Sequence, residues 1–443
     1  LRNTPKYLWN GQLFAGSFAY PAPEIILDGS LPDYATQEEI EEGAQYGFGP
    51  ASIFGHIVPD YPALLHKGVQ GIIDEINQRE SAAPESEDFY MAEKIVLNSF
   101  IQYAEDYAEI CTEEAERTSD SGRKQELKMM AEDLRYCPRH PAKTLHQAIQ
   151  AVWLLHNALQ LTGSNLSVGR IDQFLFPYLE ADLQSGIITL GQAQEMSDLL
   201  FLKFNERTLD NEISRTLMDV DALQKKYDQI WENRSVFDRN QQKFNIRDTV
   251  DSSNHWLQNA FLGGVRPDGE DGCNLMSAMM LESFDRMRMT HPTLNCRVGS
   301  RSPKWFLKKT AEVLRSGGGS PCLYNEDAVI EAMTTNTRVP IEDARDFSNN
   351  GCWEVIIPGR TDFYFYRFNM LKCMERVLNH GKSWIDGKQE VEDPGDCTAY
   401  SFDELFAAII KQLAHVCTGI VAQMDRNFFM RYRIAPVPLL SAF

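Results

Sequence analysis

One short segment concentrates the residues capable of chemistry. Asp343-Ala344-Arg345-Asp346-Phe347-Ser348-Asn349-Asn350-Gly351-Cys352-Trp353-Glu354 runs from a helix-like stretch, through Asn-Asn-Gly, into an apolar strand-like run. Asn-Asn-Gly favours a tight turn with positive φ. With an extended backbone over residues 352–354, side chains two positions apart project to the same side. The Cys352 thiol and the Glu354 carboxylate would then face one small volume, a sulfur reagent beside a general base. Two other readings stay open on the residues alone. Cys352 could be a buried structural cysteine, since free Cys is among the most buried residue types. It could also be a nucleophile of a hydrolase or transferase, which needs a His brought close in space to lower the thiol pKa.

Other motifs that would redirect the reading do not occur: no P-loop, no GxGxxG after a strand, no HExxH and no GxSxG. Gly317-Gly318-Gly319, followed by Ser320-Pro321-Cys322, reads as a loop leading into a strand. The nine cysteines (111, 137, 273, 296, 322, 352, 373, 397 and 417) form no CxxC pair, so neither a zinc knuckle nor an iron–sulfur cluster is indicated and no metal site is expected. Their scatter and odd number suit a reducing, cytoplasmic compartment.

The elements that must position this segment follow from hydrophobic spacing. Leu64, Leu65, Val69, Ile72, Ile73 and Ile76 predict an amphipathic helix over residues 61–78. Residues 90–116 and 124–136 predict two more, separated by Ser119-Asp120-Ser121-Gly122, with Cys137-Pro138 stopping the second. Residues 144–161 are apolar on most faces and predict a buried helix. Residues 189–206 predict another, with Thr189 as N-cap and Gln192 completing a capping box. Residues 211–247 are polar and read as a surface helix, and residues 1–60 as irregular chain rich in Pro, Gly and aromatics. From Leu262 onward, strand candidates at 293–298, 322–324 and 354–357 alternate with turns and helices, which predicts α/β with a partly parallel sheet.

Composition excludes several function classes. Against 63 Asp+Glu stand 43 Lys+Arg, a net charge of −20 in 443 residues. With a pI near 4.9 the chain lacks the basic face that nucleic acid or an anionic membrane requires. No apolar run is expected to span a bilayer, and the start shows no basic-then-apolar signal. Aromatics spread from end to end (24 Phe, 16 Tyr, 7 Trp) argue for a folded chain.

Gly351-Cys352-Trp353-Glu354 resembles the Gly-Cys-x-Glu cysteine loop of the glycyl radical enzymes, the pyruvate formate-lyase-like family. Further blocks follow in that family's order. Gly55-His56 with Pro59-Asp60-Tyr61 and Lys67-Gly68 is similar to its N-terminal block, and Ser167–Gln173 with Asp182 and Gly186 to the next. Asn259–Gly264 with Asp268-Gly269 and Cys273-Asn274-Leu275, Ser302–Pro321, Tyr324-Asn325-Glu326-Asp327 and Glu342–Phe347 continue the series, so the resemblance covers nearly the whole chain. Three departures stand out. Trp353 replaces the usual small residue, Val355 stands where Pro is frequent, and the family's radical-bearing glycine motif does not follow the cysteine loop. Arg297-Val298-Gly299-Ser300 lies upstream, lacks the aromatic and is rejected as that motif. With Leu1 at one end and the block Pro436–Phe443 at the other, both ends read as cut, leaving residues 1–443 as a partial pyruvate formate-lyase-like domain without its glycine radical domain. Such a polypeptide alone is expected to be inactive.

The resemblance implies part of a ten-stranded α/β barrel, built from two five-stranded parallel half-sheets surrounded by many helices. It implies a glycyl radical lyase in which Cys352, as thiyl, takes hydrogen from a small polar substrate. Glu354 would act as base to promote elimination, as in dehydratases and carbon–nitrogen or carbon–sulfur lyases. Because Gly351 replaces a second cysteine, formate C-acetyltransfer is the alternative less favoured, and arylacetate decarboxylation is a further one; a non-catalytic fragment is the third. His56 is the remaining site candidate, either protonating the leaving group or hydrogen-bonding the barrel wall. Arg170 and Asp172 are expected to form a structural ion pair. No bound metal or organic cofactor is implied. The resemblance implies instead a glycyl radical installed by a radical-SAM activase, and a homodimer.

Overall fold

The computed structural model describes residues 6, 8, 11–16, 57–82, 86–160, 166–217, 258–289, 291–317, 319–351, 353–361 and 370–434. Within it the helical spacing of the first half is realised nearly as predicted: α1 (Tyr61–Ala82), α2 (Glu87–Arg117), α3 (Ser121–Tyr136), α4 (Leu145–Gln160), α5 (Ile171–Gln184) and α6 (Leu190–Leu217). Asp120 caps α3 by accepting from the Gly122 and Arg123 N–H groups, which explains why the Ser-Asp-Ser-Gly stretch both separates and starts helices. Thr189 and Gln192 form the reciprocal capping box, with Gln192 N to Thr189 Oγ1 at 3.3 Å and Thr189 N to Gln192 Oε1 at 2.9 Å. Helix α4 is buried at every position but Gln147, as its all-round apolar pattern requires. Helix α5 went unpredicted because Pro177 lies inside it.

The sheet follows. Strands β1 (Asn259–Gly263), β2 (Thr293–Val298) and β3 (Cys322–Asn325) run parallel in that order, joined through α7 (Leu275–Met287) and α8 (Lys304–Arg315). Strand β1 is wholly buried, which makes it a short apolar run without alternation. Isolated parallel bridges Gly169↔Ala260 and Ile57↔Leu166 carry the pairing beyond β1. The mixed α/β class is thus realised, while the ten-stranded barrel is not traced by the described residues, which give these three parallel strands and their bridges. After α9 (Glu326–Asn336) and α10 (Ile341–Arg345), strands β4 (Ser348–Asn350) and β5 (Glu354–Ile356) form an antiparallel hairpin.

The chain divides into two compact units, and the smaller includes residues 370–434. There α11 (Met370–Leu378) packs on α12 (Phe402–Ile434), with Cys373 and Val377 on its buried face. One expectation is corrected here. Phe402–Ala422, with a mean hydropathy of 1.7 over its most apolar window, is long and apolar enough to cross a bilayer by length and composition. The run escapes inspection because Lys411 and His415 interrupt it, while Ala, Ile and Phe carry the average. Length and composition alone carry no membrane assignment.

Candidate active site

Beneath the hairpin, two arginines hold the segment that leads into it. Arg297, fully buried in β2, pairs with buried Glu326 at 2.8 Å and donates to the carbonyls of Arg345 (2.8 Å) and Phe347 (3.1 Å). Its guanidinium also lies 4.0 Å from the centre of the Phe347 ring. Burial and the neighbouring Arg170 push the Arg297 guanidinium down from its usual value, while Glu326 opposes them; arginine is basic enough to stay charged regardless. The rejected Arg297-Val298-Gly299-Ser300 stretch therefore begins with an anchor of the sheet. Gly264 lies so close that a Cβ there would stand 2.2 Å from Glu326 Oε2, which requires glycine.

Arg170 does not form the pair expected of it. It binds Asp346 at 2.8 Å and donates to the Val265 carbonyl at 2.9 Å. Asp172 instead accepts from the Gly263 N–H at 2.7 Å and the Ser277 hydroxyl at 2.5 Å. Burial raises the Asp172 pKa, and those two hydrogen bonds and Arg170 oppose the rise. Two residues apart at a helix start, the two side chains leave in different directions, so nearness in sequence misled the expectation.

In the hairpin, Asn350 is paired with Glu354, so residues 351–353 form the connection that contains Cys352. Two expectations are corrected here. Asn349 and Asn350 lie in strand β4 and not in the turn. Nor is the backbone extended through 352–354: Gly351 has φ 47° and Trp353 φ 83°. An extended strand therefore does not bring positions 352 and 354 to one side; the hairpin register places Glu354 opposite Asn350.

Polar side chains fix this connection. The Gly351 N–H donates to Asn350 Oδ1 at 2.6 Å, which also accepts from the Ser167 hydroxyl at 2.8 Å. Asn259 Nδ2 donates to the Gly351 carbonyl at 2.9 Å and to Ser167 Oγ at 3.0 Å. The Tyr324 hydroxyl donates to the Trp353 carbonyl at 3.0 Å and accepts from Asn349 Nδ2 at 3.1 Å. Ser167, Asn259, Asn349 and Asn350 are all fully buried, and the hydrogen bonds among them offset part of the cost of burying so many polar groups. Burial is the main reason the Tyr324 hydroxyl titrates well above its usual range, and the charge of Glu354 contributes, so it remains a donor at neutral pH. Glu354 itself is half-buried at the start of β5, with Oε2 withdrawn from solvent.

Of the three expected site residues, Glu354 is placed by the hairpin, whereas Cys352 and His56 lie outside the described residues. Sequence reasoning missed Asn259, Tyr324 and Arg297 as parts of this region. The available signal was polarity inside apolar strands: Asn259 heads Asn-Ala-Phe-Leu-Gly, and Arg297 interrupts Thr-Leu-Asn-Cys-Arg-Val. An open depression of about 580 Å³ at the carboxyl ends of β2 and β3, lined by Val298, Ser300, Leu323 and Asp327 among others, contains neither Glu354 nor the hairpin. Among the described residues no group of three or more His, Cys, Asp and Glu could hold a metal ion.

Comparison with known proteins places the chain. A family model described as pyruvate formate lyase-like matches residues 7–443. The trans-4-hydroxy-L-proline dehydratase of Clostridioides difficile is 30% identical over 356 residues, covering 78% of this chain and 41% of that protein. The (2S)-3-sulfopropanediol dehydratase of Klebsiella oxytoca is 28% identical over 401 residues, 88% of this chain and 45% of that protein. The chain thus spans less than half the length of these relatives. The glycerol-bound B12-independent glycerol dehydratase of Clostridium butyricum superposes with a TM-score of 0.77 at 24% identity, covering 99% of this chain and 59% of that one, which establishes the shared fold.

Proposed function

The chain belongs to the pyruvate formate lyase-like family of glycyl radical enzymes, and on that premise we propose that the whole protein is a glycyl radical lyase eliminating a leaving group from a small polar substrate. The observation that carries the reading is the hairpin register. Pairing of Asn350 with Glu354 puts a candidate base at the exit of the connection that contains Cys352, with Oε2 of that base shielded from water. Cys352, as thiyl, takes a hydrogen atom from a substrate carbon bearing a hydroxyl; an S–H bond forms as the C–H bond breaks. The spin on that carbon makes its hydroxyl more acidic. Glu354 takes the hydroxyl proton, and the electron pair so released drives out the β substituent. Cys352 then returns its hydrogen to the product radical. Shielding from water protects both the base and the radical.

Gly351 in place of a second thiol supports elimination over acyl transfer, because no neighbouring sulfur could hold an acyl group as thioester. The radical would be stored on a backbone glycine outside residues 1–443 and installed by a radical-SAM activase. Free thiols at all eight described cysteines accord with a reducing, cytoplasmic setting.

The test uses the whole protein, activated without oxygen and offered (2S)-3-sulfopropanediol and glycerol, vicinal diols in which a hydroxyl-bearing carbon lies next to a carbon whose hydroxyl can leave. Elimination from one of them is expected. Cys352→Ser should abolish it, and Glu354→Gln should slow it about 10²–10⁴-fold, the usual contribution of a general base, while hydrogen exchange into substrate continues. Turnover by Cys352→Ser, or formation of acetyl-CoA from pyruvate and CoA, would overturn the proposal.

A further inference from the structure

Both neighbours of Cys352 are held by side chains that come from the parallel sheet. From β1, fully buried Asn259 donates to the Gly351 carbonyl at 2.9 Å. From β3, Tyr324 donates to the Trp353 carbonyl at 3.0 Å. Strand β2 lies between these two, and the register sets Asn259 level with Thr293 and Tyr324 level with Arg297, so the two donors come from different strands and different levels of the sheet. One such bond would leave the connection free to swing about it; two, on the carbonyls of the residues before and after the same cysteine, do not. Neither belongs to the hairpin's own ladder, which the Asn350↔Glu354 pair closes.

The backbone of Trp353 shows that this hold is needed. A φ of 83° is strained for any residue with a side chain, and tryptophan is bulky. Such a conformation persists only where its surroundings over-determine it. Here they do: the Trp353 N–H donates to the Asn350 carbonyl at 3.0 Å, its carbonyl accepts from Tyr324, and Asn349 orients that hydroxyl from β4 at 3.1 Å.

We propose that Asn259 and Tyr324 are positioning residues that fix the backbone on either side of Cys352, at the Gly351 and Trp353 carbonyls, so that the sheet sets the reactivity of its thiol. The assignment rests on Cys352 as the hydrogen-abstracting residue and adds what aims it. Neither residue touches substrate in this scheme. Each acts through the loop backbone, and supporting contacts of this kind keep a reactive group within the narrow tolerance its chemistry demands.

Alkylation by iodoacetamide, followed at Cys352 by peptide mass spectrometry on the whole protein, reads this positioning without turnover. Tyr324→Phe deletes one hydroxyl and keeps the ring. It should accelerate alkylation of Cys352 about fivefold, the factor that one net hydrogen bond represents. Tyr103→Phe is the matched control: it deletes a buried hydroxyl bond of 2.7 Å to Asn157, between α2 and α4, and should lower the melting temperature without changing the Cys352 rate. Should Tyr324→Phe fail to accumulate folded, Asn349→Ala, which removes the amide bound to the same hydroxyl, takes its place with the same expectation. A Cys352 rate that is unchanged, slower or undetectable in the variant, or one that Tyr103→Phe raises equally, overturns the proposal. Thiol alkylation needs no radical, so failure here is distinct from failure of the lyase reading, which Cys352→Ser turnover decides.

Discussion

Trp353 is the residue at which local structure and local preference disagree most. It keeps φ at 83° while the residue is 55% exposed, so burial offsets little of the strain. Relief of a left-handed conformation is worth about 1–3 kcal/mol, and the entropy lost by fixing a glycine takes back about 0.5–1 kcal/mol. Trp353→Gly is therefore expected to stabilise the protein by about 1 kcal/mol, read as a higher urea midpoint at unchanged slope. Cysteines divide sharply by surroundings. Burial pushes the Cys111 and Cys137 thiols up to about 12, so both should stay unmodified by iodoacetamide at pH 8 under native conditions and react only after unfolding. Of the site chemistry, the Cys–x–Glu spacing was legible because it lies within three residues. Its geometry was not, because positive φ at Trp353 depends on contacts from β3 and β4.

At the scale of elements, a buried ionic anchor holds the segment that leads into the hairpin. Arg297 serves Glu326 and two carbonyls at once. Removing it leaves a buried carboxylate and two carbonyls without their donor, so Arg297→Met should cost about 3–5 kcal/mol in denaturant unfolding. The double change Arg297→Met with Glu326→Leu should recover part of that loss, because no unpaired charge remains inside. A double variant no more stable than the single one would show that the carbonyl bonds, and not the ion pair, carry the anchor. Helix α3 offers a plainer case. Asp120 accepts two N–H groups at its start, and Asp120→Ala should cost about 1 kcal/mol. That cap could be read from sequence, since a capping residue and its partners are neighbours. The strand β1 could not, because a buried run of five residues carries no periodicity.

Across the described residues, the carboxyl shifts run mostly in opposite directions in the two compact units, with Asp268 of the larger one lowered. In the larger one, burial is the main cause raising the carboxyls of Glu93, Asp172, Asp182 and Glu206. A raised carboxyl costs the folded state stability as pH rises through its folded value, and returns it on acidification. In the smaller unit the direction reverses. The Trp384 N–H lowers Glu375, the Lys388 N–H lowers Asp386, Lys372 and Arg376 lower Glu390, and the Gly395 N–H, Thr398 and Ser401 lower Asp393, Asp396 and Glu404. Their stabilisation is complete above the ordinary carboxyl range and is lost as pH falls through the lowered values, below about pH 4. Hydrogen exchange, corrected for intrinsic rates, should therefore show protection in residues 370–404 collapsing on acidification before that in 61–206. Earlier collapse of the larger unit would contradict these assignments.

By itself the sequence determined the helices α1 to α4, the break between α2 and α3, the cap at Thr189, the strand β2 and the ordered blocks of the glycyl radical enzymes. All of these are written in residues that are neighbours along the chain or a helical turn apart. The tertiary structure decided that Arg170 pairs with Asp346, 176 positions away, and not with Asp172. It also decided that Asn259 and Tyr324 reach the cysteine loop from positions 92 and 29 residues distant from their partners. Spacing along a chain encodes which face a side chain shares with its near neighbours. Which distant backbone group it meets is set by how strands and helices stack, and that exists only once the core has formed.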